Sequence, residues 1–185
     1  MTDADRRLPR GGIVFVTGGA RSGKSSFALQ QAEGVPGKRA FIATAEAVDD
    51  EMADRIRRHK EDRSEEWKTF EEPRGIAAVL RKAAESHDVI IIDCLTIWLS
   101  NILCSGADIA AETAGLIAAL QEVRRSASVF VVSNEVGMGI VPLHELARRF
   151  RDDAGRLNRN IAEIADAVYL TVAGIPLKIK DGGCI

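Results

Sequence analysis

Apolar runs of five or six residues alternate along this chain with longer segments in which apolar positions recur every three or four residues. The short runs have the pattern of strands buried on both faces, and the longer segments that of amphipathic helices. Strands are predicted at Ile13–Thr17, Arg39–Thr44, Val89–Asp93, Val129–Ser133 and Ala167–Val172, with a shorter piece at Lys68–Glu71. Helices are predicted near Ser25–Glu33, Asp49–Arg63, Gly75–Ser86, Thr96–Leu103, Ile109–Arg125 and Leu143–Ile164. Gly34-Val35-Pro36-Gly37, Pro73, Ser105-Gly106 and Pro142 separate them. After the last parallel strand, Gly174-Ile175-Pro176 is expected to turn the chain into Leu177-Lys178-Ile179-Lys180 as an antiparallel edge hairpin. Strand and helix in alternation predict an α/β fold with helices on both faces of a mostly parallel sheet. Residues 1–10 are expected to be a disordered tail, residues 11–185 one catalytic domain, and the stretch from Asp181 to Ile185 a frayed end.

One loop in this pattern carries chemistry. Gly18-Gly19-Ala20-Arg21-Ser22-Gly23-Lys24-Ser25 fits G-x-x-x-x-G-K-[ST], with the strand Ile13–Thr17 before it and a helix-compatible stretch after it. Backbone N–H groups of such a loop and the start of the helix make an anion site for a polyphosphate. Lys24 is placed to reach the β- and γ-phosphates, and the Ser25 hydroxyl to ligate Mg²⁺. The expected fold class narrows to a P-loop NTPase of RecA-like type.

Ligands of such sheets bind beyond the carboxyl ends of the strands. Polar residues stand there from strand to strand: the phosphate loop, Thr44, Asp93, and Ser133-Asn134-Glu135. Asp93 follows Val89-Ile90-Ile91-Ile92 and has the form of a Walker B carboxylate holding Mg²⁺ directly or through water. Its alternative role is to cap the helix beginning near Thr96. For Thr44 and Glu135, a turn or cap role stands beside a site role.

The charge balance, 25 Lys plus Arg against 27 Asp plus Glu for a net charge of -2, supplies no global field for nucleic acid or an anionic membrane. A small-molecule ligand is the expectation. Cys94, Cys104 and Cys184 lack metal-ligand spacing and fit a reducing cytosol. With no signal-like apolar segment and no run of membrane-spanning length, a cytoplasmic protein is expected.

Helical spacing sets Met52, Ile56, His59 and Arg63 on one stripe, so that His59 faces the protein body. Two readings are open: a satisfied core histidine, or a neutral imidazole that attacks an α-phosphate while Arg57, Arg58 and Lys60 stabilise departing pyrophosphate. The second chemistry fades as pH falls through the pKa of the imidazole. Two readings are likewise open for the basic segment Arg148-Arg149-Phe150-Arg151 with Arg156 and Arg159: a phosphate clamp, or a solvated helix face with internal ion pairs. Gly137 and Gly139 are read as part of a flexible loop beside the site or as turn residues.

Thr17 to Ser25, Ile42-Ala43-Thr44-Ala45, the block Asp49-Asp50-Glu51-Met52 with Arg55-Ile56 and His59, and Asn134 to Pro142 together closely resemble one family. It is the bifunctional adenosylcobinamide kinase/adenosylcobinamide-phosphate guanylyltransferase family of cobalamin synthesis. Asp93-Cys94-Leu95-Thr96, Trp98-Leu99-Ser100-Asn101, Phe150-Arg151-Asp152 with Gly155 and Asn158, and Gly174 to Lys178 extend the match over about Gly12 to Lys180. The resemblance implies two reactions. ATP or GTP phosphorylates the terminal hydroxyl of adenosylcobinamide, then GTP donates GMP to the phosphorylated product, releasing pyrophosphate. It implies that His59 is the residue guanylylated. It places guanine-nucleotide contacts at Thr17, Gly18, Gly19, Ala20, Arg21, Ser22, Gly23 and Lys24, at Ala43, Thr44 and Ala45, at Lys60, Glu61, Asp62 and Arg63, and at Glu71 and Asp93. A homo-oligomer, with trimers known in the family, is implied as well. The competing expectations are a small-molecule kinase without nucleotidyl transfer and a nucleotide-dependent regulatory protein.

Overall fold

The computed structural model describes residues 11–46 and 66–181. The predicted helix Asp49–Arg63 and both chain ends lie outside the described residues. Seven strands form one sheet: β1 (Gly12–Gly18), β2 (Arg39–Ala43), β3 (Trp67–Glu71), β4 (Val89–Asp93), β5 (Ser128–Val132), β6 (Ala167–Val172) and β7 (Ile175–Lys180), in the order β3-β2-β4-β5-β1-β6-β7. All neighbours run parallel except β6 and β7. The helices are α1 (Lys24–Glu33), α2 (Ile76–Ala84), α3 (Leu95–Ser105), α4 (Ile109–Val123) and α5 (Glu145–Ile164). Among the described residues no helix is long and apolar enough to cross a membrane.

Alternation along the strands divides the core. Ile13, Phe15, Ile90, Ile92, Val129 and Val131 face a layer that includes Leu80 of α2, Trp98 and Leu99 of α3, Leu116 and Leu120 of α4, and Leu157 and Ile161 of α5. Val14, Val16, Val89, Ile91, Phe130 and Val132 face the other way, onto Ala28 and Ala32 of α1. The central strands are therefore apolar at every position, and only their ends are free to be polar. Asp108 starts α4 by accepting the amide hydrogens of Ala110 at 2.9 Å and Ala111 at 3.2 Å.

One expectation is borne out and extended, and one is corrected. The segment Lys68–Glu71 is a full strand with Trp67 added, paired in parallel with β2 from Arg39↔Trp67 to Ala43↔Glu71. The hairpin turn lies one residue earlier than expected, at Ala173-Gly174, and Ile175 and Pro176 belong to β7. Both turn residues have positive φ, 50° and 81°, which matches the twist of a two-residue hairpin. Proline is tolerated in β7 because this is an edge strand, where a missing N–H leaves no ladder bond broken.

Candidate active site

The phosphate loop leaves β1 at Gly18 and enters α1 at Lys24. It is braced from behind by the β6–β7 hairpin: the Ser22 and Thr171 hydroxyls lie 2.8 Å apart, Thr171 donates to the Thr17 carbonyl at 3.2 Å, and Gly174 N–H donates to the Ser22 carbonyl at 3.0 Å. No side chain caps α1 and no acid occupies its first turn, so nothing on the helix neutralises its positive end. Lys24 is buried, at 7 % exposure, and its ammonium curls back to donate to the Gly19 carbonyl at 2.6 Å. Gly19, Ala20 and Arg21 are exposed at the loop's crest.

The strand register gathers several of the other expected residues into one row. Ala43 pairs with Glu71 on one side and Asp93 on the other; Asp93 pairs with Val132, and Val132 with Val16, one residue before Thr17. Only β5 separates β1 from β4, so Asp93 stands two strand spacings, about 10 Å, from the strand that launches the phosphate loop. The residue capping α3 is Cys94, with no side-chain hydrogen bond, so Asp93 is not a helix cap.

Thr44 is fully buried, and each of its polar atoms is engaged within the protein. Its amide donates to the Asp93 carbonyl at 3.2 Å and its carbonyl accepts from Asn101 Nδ2 at 2.9 Å. Its hydroxyl donates to the Cys94 carbonyl and accepts from the Cys94 amide, each at 2.8 Å. The side chain thus clamps the turn that presents Asp93, and we assign it a positioning role. Replacing Thr44 by valine keeps the shape but leaves the Cys94 amide unpaired, which is expected to cost about 1–3 kcal/mol. Denaturant unfolding should register that loss, and phosphoryl-transfer kcat should fall about tenfold through misplacement of Asp93. Were Thr44 a direct nucleotide contact instead, the KM for nucleotide would rise with kcat unchanged.

Cys94 is no nucleophile. Burial, reinforced by the nearby Asp93 carboxylate, lifts its thiol from an ordinary 9.0 to about 11, leaving it protonated at neutral pH. Glu135 makes a local turn, accepting from Gly137 N–H at 2.6 Å, while its own amide donates to the Gly18 carbonyl at 2.9 Å. The basic segment of α5 pairs mostly with acids on its own helix: Arg149 and Arg156 with Asp153, Arg151 with Asp152, and Arg159 with Glu163. Arg148 instead donates to the Pro142 carbonyl at 3.1 Å and the Leu143 carbonyl at 2.5 Å. The loop between Gly137 and α5 presents Met138, Ile140, Val141 and Leu143 to solvent. His59, Lys60, Glu61, Asp62 and Arg63 lie outside the described residues.

Residues 14–179 match the family described as CobU, cobinamide kinase / cobinamide phosphate guanyltransferase. The chain belongs to this family. The bifunctional adenosylcobalamin biosynthesis protein CobP of Pseudomonas aeruginosa is 44% identical over 168 residues, covering 90% of this chain and 96% of that protein. The bifunctional adenosylcobalamin biosynthesis protein CobU of Escherichia coli is 42% identical over 183 residues, covering 91% of this chain and 99% of that protein. In structure, the flagellar accessory protein FlaH of Methanocaldococcus jannaschii superposes with a TM-score of 0.60 at 15% identity, over 99% of this chain and 87% of that one, a likeness of fold alone.

Sequence reasoning on this cobinamide kinase/guanyltransferase chain missed the residues that hold the site in shape. Thr171 is the clearest case, a buried polar residue near the carboxyl end of an apolar strand, and the rule that found Asp93 would have found it too. Thr96 and Asn158 act in the same way. The Thr96 hydroxyl accepts from Asn134 N–H at 2.7 Å and lies 3.2 Å from the Ser133 hydroxyl; Asn158 Nδ2 donates to the Asn134 carbonyl at 3.0 Å. Thr96, Asn134 and Asn158 stand within the matching motifs, but no spacing argument marks their contacts.

Proposed function

We propose that the chain phosphorylates adenosylcobinamide with ATP or GTP and then transfers GMP from GTP to adenosylcobinamide phosphate through a guanylylated His59. The observation that carries the reading is the uncapped, acid-free start of α1 with Lys24 folded over the loop, within a chain that matches a cobinamide kinase and guanyltransferase family over residues 14–179. Glycine-loop amides and the helix start hold the phosphates, and the Lys24 ammonium swings from the Gly19 carbonyl to a non-bridging phosphate oxygen.

The donor set suits Mg²⁺. Ser25 and Asp93 offer a hydroxyl and a carboxylate, both part-exposed, and neither makes a side-chain hydrogen bond or ion pair among the described residues. Hard oxygen donors of this number fit an ion that completes its shell with water and substrate phosphates. When bound, the ion would neutralise charge on the transferring phosphoryl group.

In the kinase half, the acceptor hydroxyl oxygen bonds to the γ-phosphorus as the bond to the β-bridging oxygen breaks, and the hydroxyl proton passes to solvent or a phosphate oxygen. In the second half, the His59 imidazole attacks the α-phosphorus and pyrophosphate leaves, giving a phosphoramidate. An oxygen of adenosylcobinamide phosphate then displaces the imidazole, forming the diphosphate link of adenosylcobinamide-GDP. Two displacements replace one crowded reaction between two anions.

Incubation with α-labelled GTP and Mg²⁺ should leave acid-labile, base-stable label on the chain. His59→Ala should abolish the label while phosphorylation of adenosylcobinamide persists. Labelling unchanged by His59→Ala would remove the histidine from the reaction, and γ-phosphate transfer without any covalent GMP in the unsubstituted chain would reduce the protein to a kinase.

A further inference from the structure

A groove of about 560 Å³ lies between α3, the loop before α2 and the side of α5, and neither half-reaction described so far uses it. That volume is within the range of small-molecule sites, roughly 300–1,000 Å³. Ile97, Phe150 and Cys104 give it apolar walls. Its cation, Arg74, faces Glu46 at 3.8 Å, which leaves the groove near neutral and poorly suited to a polyphosphate. Two polar groups on its α3 wall are unspent among the described residues: the Ser100 hydroxyl and Asn101 Oδ1, the Asn101 amino group being occupied by the carbonyls of Thr44 at 2.9 Å and Pro73 at 3.0 Å. A hydroxyl that gives or takes a hydrogen bond beside a carbonyl that only takes one is the complement of a carboxamide, which carries both N–H and C=O.

The groove adjoins the turn that presents Asp93. Asn101 grips the Thr44 carbonyl, and Thr44 clamps the turn after Asp93. Thr96, also at the groove, bonds to Asn134 N–H, beside the residue whose amide holds the Gly18 carbonyl.

We propose that this groove is the acceptor subsite, taking neutral carboxamide-bearing side arms of the corrinoid between Ser100, Asn101 and the apolar walls, with the macrocycle resting at its mouth. The inference rests on the proposed kinase reading and deepens it. The volume admits side arms and not a whole corrin, and the near-neutral, amide-complementary lining favours the acceptor over the nucleotide.

Cys104 provides a direct readout because its thiol is exposed at the groove, whereas Cys94 is buried. In the full chain with nucleotide and Mg²⁺, cobinamide should slow alkylation of Cys104 by N-ethylmaleimide about fivefold or more, read by peptide mass spectrometry. Ser100→Trp fills the groove and should raise the KM for cobinamide about tenfold or more. If that variant fails to melt cooperatively, the unsubstituted chain already alkylated at Cys104 supplies the same obstruction and should show the same KM increase. Unprotected Cys104 at saturating cobinamide overturns the inference, as does an unchanged KM in the obstructed protein. Protection needs no turnover, so the two readings fail separately: protection without phosphoryl transfer would sink the kinase, and phosphoryl transfer without protection would sink the subsite.

Discussion

Lys24→Ala is expected to reduce both half-reactions by about 10²–10³-fold or more while leaving the protein folded. The phosphate loop surrounds its ligand with amide dipoles, and Lys24 is the cation that the loop itself delivers to the phosphates. Its side chain is buried and lies against the Gly19 carbonyl at 2.6 Å, so the charge is already held at the loop, and only the ammonium has to swing when nucleotide arrives. In such surroundings a fixed charge acts more strongly on a phosphorus centre than it would in water. In the kinase half it bears on the transferring group, and in the guanylyl half on the departing pyrophosphate, which is why one substitution should damage both. Truncation also removes the hydrogen bond to the Gly19 carbonyl, so the melting temperature should fall by a few degrees at most. Steady-state kcat/KM for each half-reaction, beside a melting curve, checks the prediction. Both activities within about threefold of the unsubstituted chain would show that the loop amides suffice without the lysine.

What the residues reveal in advance follows from how strongly burial constrains them. Strands such as Val89–Asp93 are legible because both faces are covered, so apolar residues fill every position until the ligand end, where Asp93 breaks the run. The phosphate loop is legible because its glycines and lysine serve the backbone path and the charge directly. β3 is faint because, at the sheet edge, Trp67-Lys68-Thr69-Phe70-Glu71 has only two apolar residues, three apart and so off the period of two, and only Trp67 is buried. The hairpin is hard to place because Pro176 looks like a turn residue, whereas the turn is made by Ala173 and Gly174 with positive φ. Thr44 stands at a strand end, where a ligand contact is expected, but its hydroxyl is consumed by Cys94, fifty residues away in sequence. Long-range bonds of that kind leave no periodic trace. His59 differs again, since its proposed role rests on resemblance and on a helical stripe, with no described contact to add.

Gly18→Ala should destabilise the fold itself by about 3–5 kcal/mol, beyond any effect on catalysis. The residue has φ +149°, and a Cβ added there would lie 2.3 Å from the Thr171 carbonyl oxygen, 2.6 Å from the Thr171 hydroxyl and 2.8 Å from the Ser22 hydroxyl. None of these can step aside cheaply. The carbonyl is backbone of β6, paired with β1 at Gly18↔Thr171, and the two hydroxyls are bonded to each other at 2.8 Å. Relief would require parting β1 from β6 or releasing the loop from its brace, and either would disperse the amides that hold phosphate. Gly19→Ala is the matched comparison, because a Cβ there meets nothing within 4 Å. It should melt with the unsubstituted chain, whereas Gly18→Ala should melt about 6–20 °C lower, on the scale of 2–4 °C per kcal/mol for a chain of this size. If the two variants melted together, the close approach of the loop to the β6–β7 hairpin would not be what fixes the phosphate cradle, and the bracing role given to Thr171 would fall with it.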